Sequence, residues 1–253
     1  MAWDRDLGDE PSPTWRDEAP DPLTPIDPGA PVSGHRRPAG GTAAADSPEQ
    51  DWLAAEAVLM PILRPAGSGG TRLADLDPVR LASEGLKSHA QPVVDEGPCG
   101  LQIAFVLRAY AFDVLVNADH LLAWGATPAD LRTSAMANLA RWSAEAPWTD
   151  EASGHRRLVS SASGDGGDAA RILLPDVRRH LVSELGPGAR VLVGIPERDL
   201  LVAGALYAGD EEFGALFAEF VRGHADGADQ PLDRRVLEIV DGELQVFADL
   251  DAP

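Results

Sequence analysis

Two short stretches of this 253-residue chain hold the side chains best placed for chemistry. The first is Gly164-Asp165-Gly166-Gly167-Asp168-Ala169, followed closely by Arg171, and the second is Pro196-Glu197-Arg198-Asp199. A G-x-G-x-x-[GA] run between a strand and a helix seats a pyrophosphate on backbone amides at the helix N-terminus. Here Asp165 and Asp168 would set carboxylates against that phosphate, and Pro175 interrupts the following helix, so dinucleotide binding is disfavoured. The same carboxylates are oxygen ligands of the kind Mg²⁺ or Ca²⁺ prefers, but no further ligand stands in register with them. Read structurally, the loop is a flexible acidic stretch that caps the next helix through Asp168. Glu197, Arg198 and Asp199 lie between two apolar runs. They either position an anion or a partner's backbone, or serve as the ordinary polar residues of a turn.

Other chemistries find less support. The histidines His35, His89, His120, His155, His180 and His224 are scattered without H-x-x-x-H spacing, and no C-x-x-C accompanies them, which argues against a zinc site. Cys99, in Glu96-Gly97-Pro98-Cys99-Gly100, shows neither the base nor the electropositive setting that a catalytic thiol needs, and reads as a buried structural cysteine. There is no G-x-S-x-G, so a serine hydrolase of the α/β type is unsupported. No cofactor is expected.

Charge narrows the partners. With 21 Lys+Arg against 41 Asp+Glu the formal net charge is -20, a field that repels phosphate backbones and anionic headgroups. The expected partner is therefore another protein with a basic surface, not nucleic acid or a membrane. A single cysteine allows no intrachain disulfide and fits a reducing compartment. The N-terminus lacks a basic and apolar signal, and no apolar run approaches the roughly 20 residues of a membrane span, so the chain reads as cytoplasmic.

The elements that must position the two stretches follow from periodicity and punctuation. Residues 1–48 hold 9 of the 21 prolines without a hydrophobic period, and are expected to form a disordered acidic tail. A single domain is expected over 49–253. It opens with a helix over Ser47–Leu63 that Pro61 ends or kinks, followed by strands near Gln91–Asp95, Leu101–Arg108 and Phe112–Val116. A short helix then ends at Gly125. A longer one begins at Thr127-Pro128-Ala129-Asp130, with Leu131, Ala135, Leu139 and Trp142 on one stripe. Asn138, inside that helix, reads as an exposed polar residue, the alternative being one that faces a backbone group or a site.

A strand near Arg157–Ser161 precedes the glycine loop. The helix after it, about Asp168–Leu185, is kinked or divided by Pro175. VLVGI and LLVAGAL form a hairpin whose apolar runs mark central strands covered on both faces. Asp210 caps a helix with Phe213, Leu216, Phe217, Phe220 and Val221 facing the core. Asp241-Gly242 closes a last hairpin, pairing Ile239 with Leu244 and Leu237 with Val246. Hairpins outnumber βαβ crossovers, which predicts an α+β fold with a mainly antiparallel sheet and flanking helices.

The runs DAARILLPDV, VLVGIPERDLLVAG and VLVNADHLLAWGATPADLRTSAMANL, covering about residues 90–248, resemble the YtpQ-like family of uncharacterised bacterial proteins. The matching positions are Ala170, Arg171, Leu173, Leu174 and Pro175, then Ile195, Pro196, Arg198, Asp199, Leu200 and Leu201, then Ala135, Asn138 and Leu139. At Ala169-Ala170-Arg171 the chain lacks the family's serine. The resemblance implies no activity, since the family has none assigned. The sequence therefore leads to a non-catalytic protein-binding or regulatory module. The alternative is an enzyme or small-ligand-binding domain built on Asp165, Asp168, Arg171, Glu197, Arg198 and Asp199, which requires the glycine loop and the hairpin tip to converge.

Overall fold

The computed structural model describes residues 47–85, 91–109 and 112–247. The tail expected over 1–48 lies outside these residues apart from Ser47 and Pro48. Asp51, not Ser47, caps the first helix, α1 (Trp52–Val58), accepting from the Ala54 amide at 2.9 Å. The helix stops at Val58 instead of Leu63, because Leu59 turns extended and opens strand β1 (Leu59–Arg64). Pro61 lies within that strand, opposite Phe105. β1 is an edge strand, where a residue without an amide hydrogen is readily tolerated.

After β1 come β2 (Thr71–Arg72), α2 (Pro78–Glu84), β3 (Val93–Glu96), β4 (Gln102–Leu107) and β5 (Val114–Leu115). The order in this first sheet is β1-β4-β3-β2, with β5 also on β4, and only the β2–β3 pairing is parallel. Two helices follow, each opened by a capping box: Asn117 with His120 for α3 (Ala118–Trp124), which was not expected, and Thr127 with Asp130 for α4 (Pro128–Glu145), as expected. Gly125 ends α3 in the left-handed region. On α4, Leu131, Ala135 and Leu139 are buried while Trp142 is half-buried. Asn138 is buried rather than exposed. Its amide donates to the carbonyls of Glu56 and Leu59, both at 2.7 Å, and so completes the end of α1.

The second sheet comprises β6 (Thr149–Ser153), β7 (Arg156–Ser161), β8 (Arg190–Glu197), β9 (Leu200–Leu206), β10 (Leu237–Val240) and β11 (Glu243–Val246). Its order is β11-β10-β8-β9-β7-β6, antiparallel throughout. Two sheets therefore stand where one was expected, and the α+β class holds. Pro175 divides the segment after the glycine loop into a 3₁₀ turn, Ala169–Leu173, and α5 (Pro175–Leu185). Asp210 caps α6 (Glu211–Gly227) through the Phe213 amide.

The central hairpin is covered on both faces. Val191, Val193, Ile195, Leu201, Ala203 and Ala205 join a core with Ile172, Val177 and Leu181, and with Met60, Ile62 and Ala104 of the first sheet. Leu192, Val202 and Leu206 face α6 through Phe213, Phe217 and Val221. Each buried Val, Leu, Ile, Met or Phe side chain among them contributes about 1.5–3 kcal/mol as an upper bound. Gly194 lets α6 come close, since a Cβ there would lie 2.4 Å from Val221 Cγ2. The last hairpin has the expected register, Leu237 to Val246 and Ile239 to Leu244.

Candidate functional site

Register sets the first wall of the site. In the β8–β9 hairpin the pairing shifts between Gly194 and Glu197, a bulge that bends the strand and re-aims its tip. The bulged backbone is held from outside, with Pro196 O accepting from the Leu232 amide at 2.8 Å. The tip thereby turns Glu197, Arg198 and Asp199 toward the loop that leaves β7. Arg198 makes the junction: Nε donates to Gly166 O at 2.9 Å, its guanidinium pairs with Asp113, and its own carbonyl accepts from the Ala169 amide at 3.1 Å. Gly166 is required at this approach. Its φ is 70°, and a Cβ would meet Arg198 Nε at 2.7 Å.

The glycine loop and the hairpin tip thus converge. Between them opens a concavity of about 570 Å³, walled by Phe112 and Asp113, by Gly164, Asp165 and Gly166, by Glu197, Arg198 and Asp199, and by residues 227–230 at the end of α6. Among the described residues its lining carries Asp113, Asp165, Glu197, Asp199 and Asp229 against Arg198 alone. That arginine is already engaged by Asp113 and Gly166 O. The C-terminal end of α6 reaches the same wall at Gly227 and Ala228, and a helix C-terminus carries a partial negative charge of its own. Behind Asp113, at 4.0 Å, stands Arg108, whose guanidinium burial pushes below its ordinary range while Asp113 opposes the shift. The field inside the concavity favours a cation.

Asp165, Glu197, Arg198 and Asp199 therefore share one site, whereas Asp168 and Arg171 stand behind it as its support. Arg171 is 1% exposed and Asp168 0%. The Arg171 guanidinium donates to Ser143 Oγ and Ser143 O at 3.0 Å each, to Pro147 O at 3.2 Å, to Ala146 O at 3.3 Å and to Ser161 Oγ at 2.6 Å. It lies 3.7 Å above the Trp148 ring. It therefore neutralises the C-terminal end of α4. Burial pushes this guanidinium down to about 10, with Asp168 opposing, so it remains cationic at neutral pH. Ser161 Oγ passes the contact on to the Asp168 carboxylate, which also accepts from Ser163 N at 3.1 Å and Ser163 Oγ at 2.8 Å. Asp168 thus ties the glycine loop to β7 and makes no side-chain cap on the turn that follows, correcting the capping role expected of it.

The other sequence readings can be placed. The loop leads from a strand antiparallel to its neighbour into a 3₁₀ turn, so no βαβ unit presents a helix N-terminus to a pyrophosphate. Asp165 is exposed at the rim and Asp168 is buried behind it, so the two do not share a cation. Among the described residues no three of His, Cys, Asp and Glu converge as a metal site would require. Cys99 is half-buried in a turn at φ 54°, its Sγ 3.4 Å from Leu244 O, and burial pushes its thiol up, away from the nucleophilic thiolate.

Sequence reasoning missed Asp113 and Asp229. Each lies in a loop with no motif around it, and each reaches the site only through tertiary folding. No helix among the described residues is long and apolar enough to cross a membrane. In comparisons with known proteins, no family model, no curated sequence and no solved structure matches the chain.

Proposed function

We propose that this chain is a cytoplasmic binding module that receives a cationic side chain of a partner protein, lysine or arginine, in the concavity between the glycine loop and the β8–β9 tip. One observation carries the reading: among the described residues, five carboxylates from four separate segments line the concavity, and the single arginine of that lining is held by Asp113 and Gly166 O. A guanidinium or ammonium group finds acceptors in that lining, while a phosphate finds repulsion, in keeping with the net charge of -20. Distant kinship with the YtpQ-like family belongs to the same proposal. The residues behind that resemblance include Ile195, Pro196, Arg198 and Asp199, which build the tip, and Arg171, which supports the loop.

The test is fluorescence anisotropy of a labelled lysine- and arginine-rich peptide titrated with the full chain. Each carboxylate about 4 Å from the bound charge contributes about 1 kcal/mol in water, roughly a fivefold change in affinity. Asp165→Asn, Glu197→Gln and Asp199→Asn should each weaken binding by about that factor, and the triple variant by about a hundredfold. The reading fails if the peptide does not bind at low salt, or if the triple variant binds as tightly as the parent. Competition by micromolar spermidine would instead make a free polyamine the source of the cation and count against a protein partner.

A further inference from the structure

On one face of the second sheet, helix α6 packs chiefly on β8 and β9, leaving a shelf over β7 and β6 at its side. Between the helix and the shelf runs a groove of about 390 Å³ lined by Glu151, Leu158, Phe213, Leu216, Phe217 and Phe220. Phe213 and Phe217 point into the core, but Leu216 and Phe220, expected to be core residues, remain 49% and 40% exposed. The reason lies in the helix geometry. The α6 apolar stripe is wider than the part of the sheet beneath it, so positions i+3 and i+7 from Phe213 overhang the shelf. Leu158, Leu216, Phe217 and Phe220 give the floor its hydrocarbon, and Arg156 borders it with its guanidinium 5.9 Å from the Phe213 ring centroid.

The rim of the groove is acidic. Glu212 stands one helical turn before Leu216 with its side chain 77% exposed, Glu219 is exposed beside Phe220, and Glu151 is exposed on β6 opposite Leu158. The local cation, Arg156, is bound to Asp210 at 2.7 Å and to Glu212 at 2.8 Å. An apolar floor with an acidic rim calls for an occupant with apolar residues at helical spacing, flanked by lysine or arginine. A second copy of this chain would set Glu151, Glu212 and Glu219 against their equals, a repulsive arrangement. The chain's own residues 1–46 carry nine acidic residues against four arginines, so they do not supply the complement either.

We infer that the α6–β6 groove is a docking site for a basic amphipathic helix of a partner protein, separate from the acidic concavity. Its apolar residues cover Leu216, Phe220 and Leu158, and its basic residues meet Glu151, Glu212 and Glu219. The occupant lies alongside α6, filling the second helix position over this face of the sheet.

The experiment titrates the full chain against a labelled peptide of roughly 14 leucine and lysine residues with one apolar face at helical spacing. A scrambled peptide of the same composition is the control. The patterned peptide should bind at least about tenfold more tightly than the scrambled one. Leu216→Asp and Phe220→Asp should each weaken the patterned peptide by about tenfold. Glu151→Lys, at an exposed strand position, should weaken it several-fold without touching the apolar floor. In the Asp165→Asn, Glu197→Gln, Asp199→Asn triple variant, whose concavity has lost its hold on lysine-rich chains, the patterned peptide should still bind about tenfold more tightly than the scrambled one, separating this site from the concavity. Equal affinity for the two peptides overturns the proposal, as does unchanged binding by all three groove variants. Sedimentation of the parent as a dimer that Leu216→Asp dissolves would assign the groove to a second copy and overturn it too.

Discussion

Replacing Arg171 tests whether the site's support is an electrostatic post or merely a filled volume. In Arg171→Met the apolar stem is kept and the charge removed. Five hydrogen bonds disappear, to Ser143 Oγ and O, Ala146 O, Pro147 O and Ser161 Oγ, together with the guanidinium stacked 3.7 Å over Trp148. The acceptors left behind are largely sealed from water, and the buried Asp168 carboxylate loses the cation it senses through Ser161. Removing one partner from such a buried charged network costs about 3–5 kcal/mol, and the lost cation–π contact alone accounts for about 2. Packing of the Met side chain offsets little of this, since it satisfies none of the carbonyls. Urea unfolding followed by tryptophan fluorescence measures the loss. With a slope of about 2 kcal/mol per molar, the midpoint should fall by about 1.5–2.5 M at unchanged slope. Arg171→Lys should recover only part of the loss, because three donors on a point charge cannot reproduce the planar fork. A loss below about 1 kcal/mol in Arg171→Met would refute the reasoning, showing the carbonyls to be satisfied without the guanidinium.

Two further outcomes follow from the same geometry. Gly166→Ala should cost about 1–2 kcal/mol, as a Cβ at φ 70° pushes Arg198 off the Gly166 carbonyl, and a thermal melt with Gly164→Ala for comparison isolates the Arg198 contact. Asp210 is held down to about 2, first by the Arg156 hydrogen bond, below the ordinary carboxylate value of 3.8. A depressed carboxylate stabilises the fold fully above about 4, and that contribution drains away as pH falls toward 2. Asp210→Asn should flatten the acid limb of stability in that window, as urea midpoints measured from pH 5 to 2 would show.

Legibility in the sequence followed the range of the interaction. The capping box at Thr127, the helix end at Gly125, the turn at Asp241-Gly242 and the division at Pro175 depend on neighbours a few residues apart, and each is visible in the chain and present in the fold. β1 was hidden because Leu59-Met60-Pro61-Ile62-Leu63 is a short apolar run that periodicity alone cannot assign, and Pro61 signalled a helix end when it marked a sheet edge. β6 was hidden because all five of its residues are exposed and none alternates. At the site, Asp165 and Glu197 to Asp199 were legible as unusual charges between apolar runs. Asp113 and Asp229 were not, since 85 residues separate Asp113 from its partner Arg198. Asp168 and Arg171 carried the right charge but the wrong address, because burial is a tertiary property that residue type does not encode.

The distribution of arginine explains why an acid excess survives folding as a local field. Arg171 and Arg178 spend much of their donor capacity on backbone carbonyls, Arg178 reaching Ile172, Leu173 and Gly242. Arg156, Arg157, Arg190 and Arg235 are drawn into pairs with Asp210, Asp150, Glu238 and Asp233, away from the concavity. Among the described residues each lining keeps one arginine, Arg198 at the concavity and Arg156 at the α6 groove, both held by carboxylates, so the acidic residues of the two surfaces outnumber the cations beside them. Exposed charges act over roughly 8 Å at physiological ionic strength, so both surfaces govern encounter more than dwell time. The apolar floor separates them in salt: raising ionic strength should release a purely cationic ligand from the concavity, while an amphipathic helix in the groove keeps the share of its affinity that Leu216 and Phe220 supply.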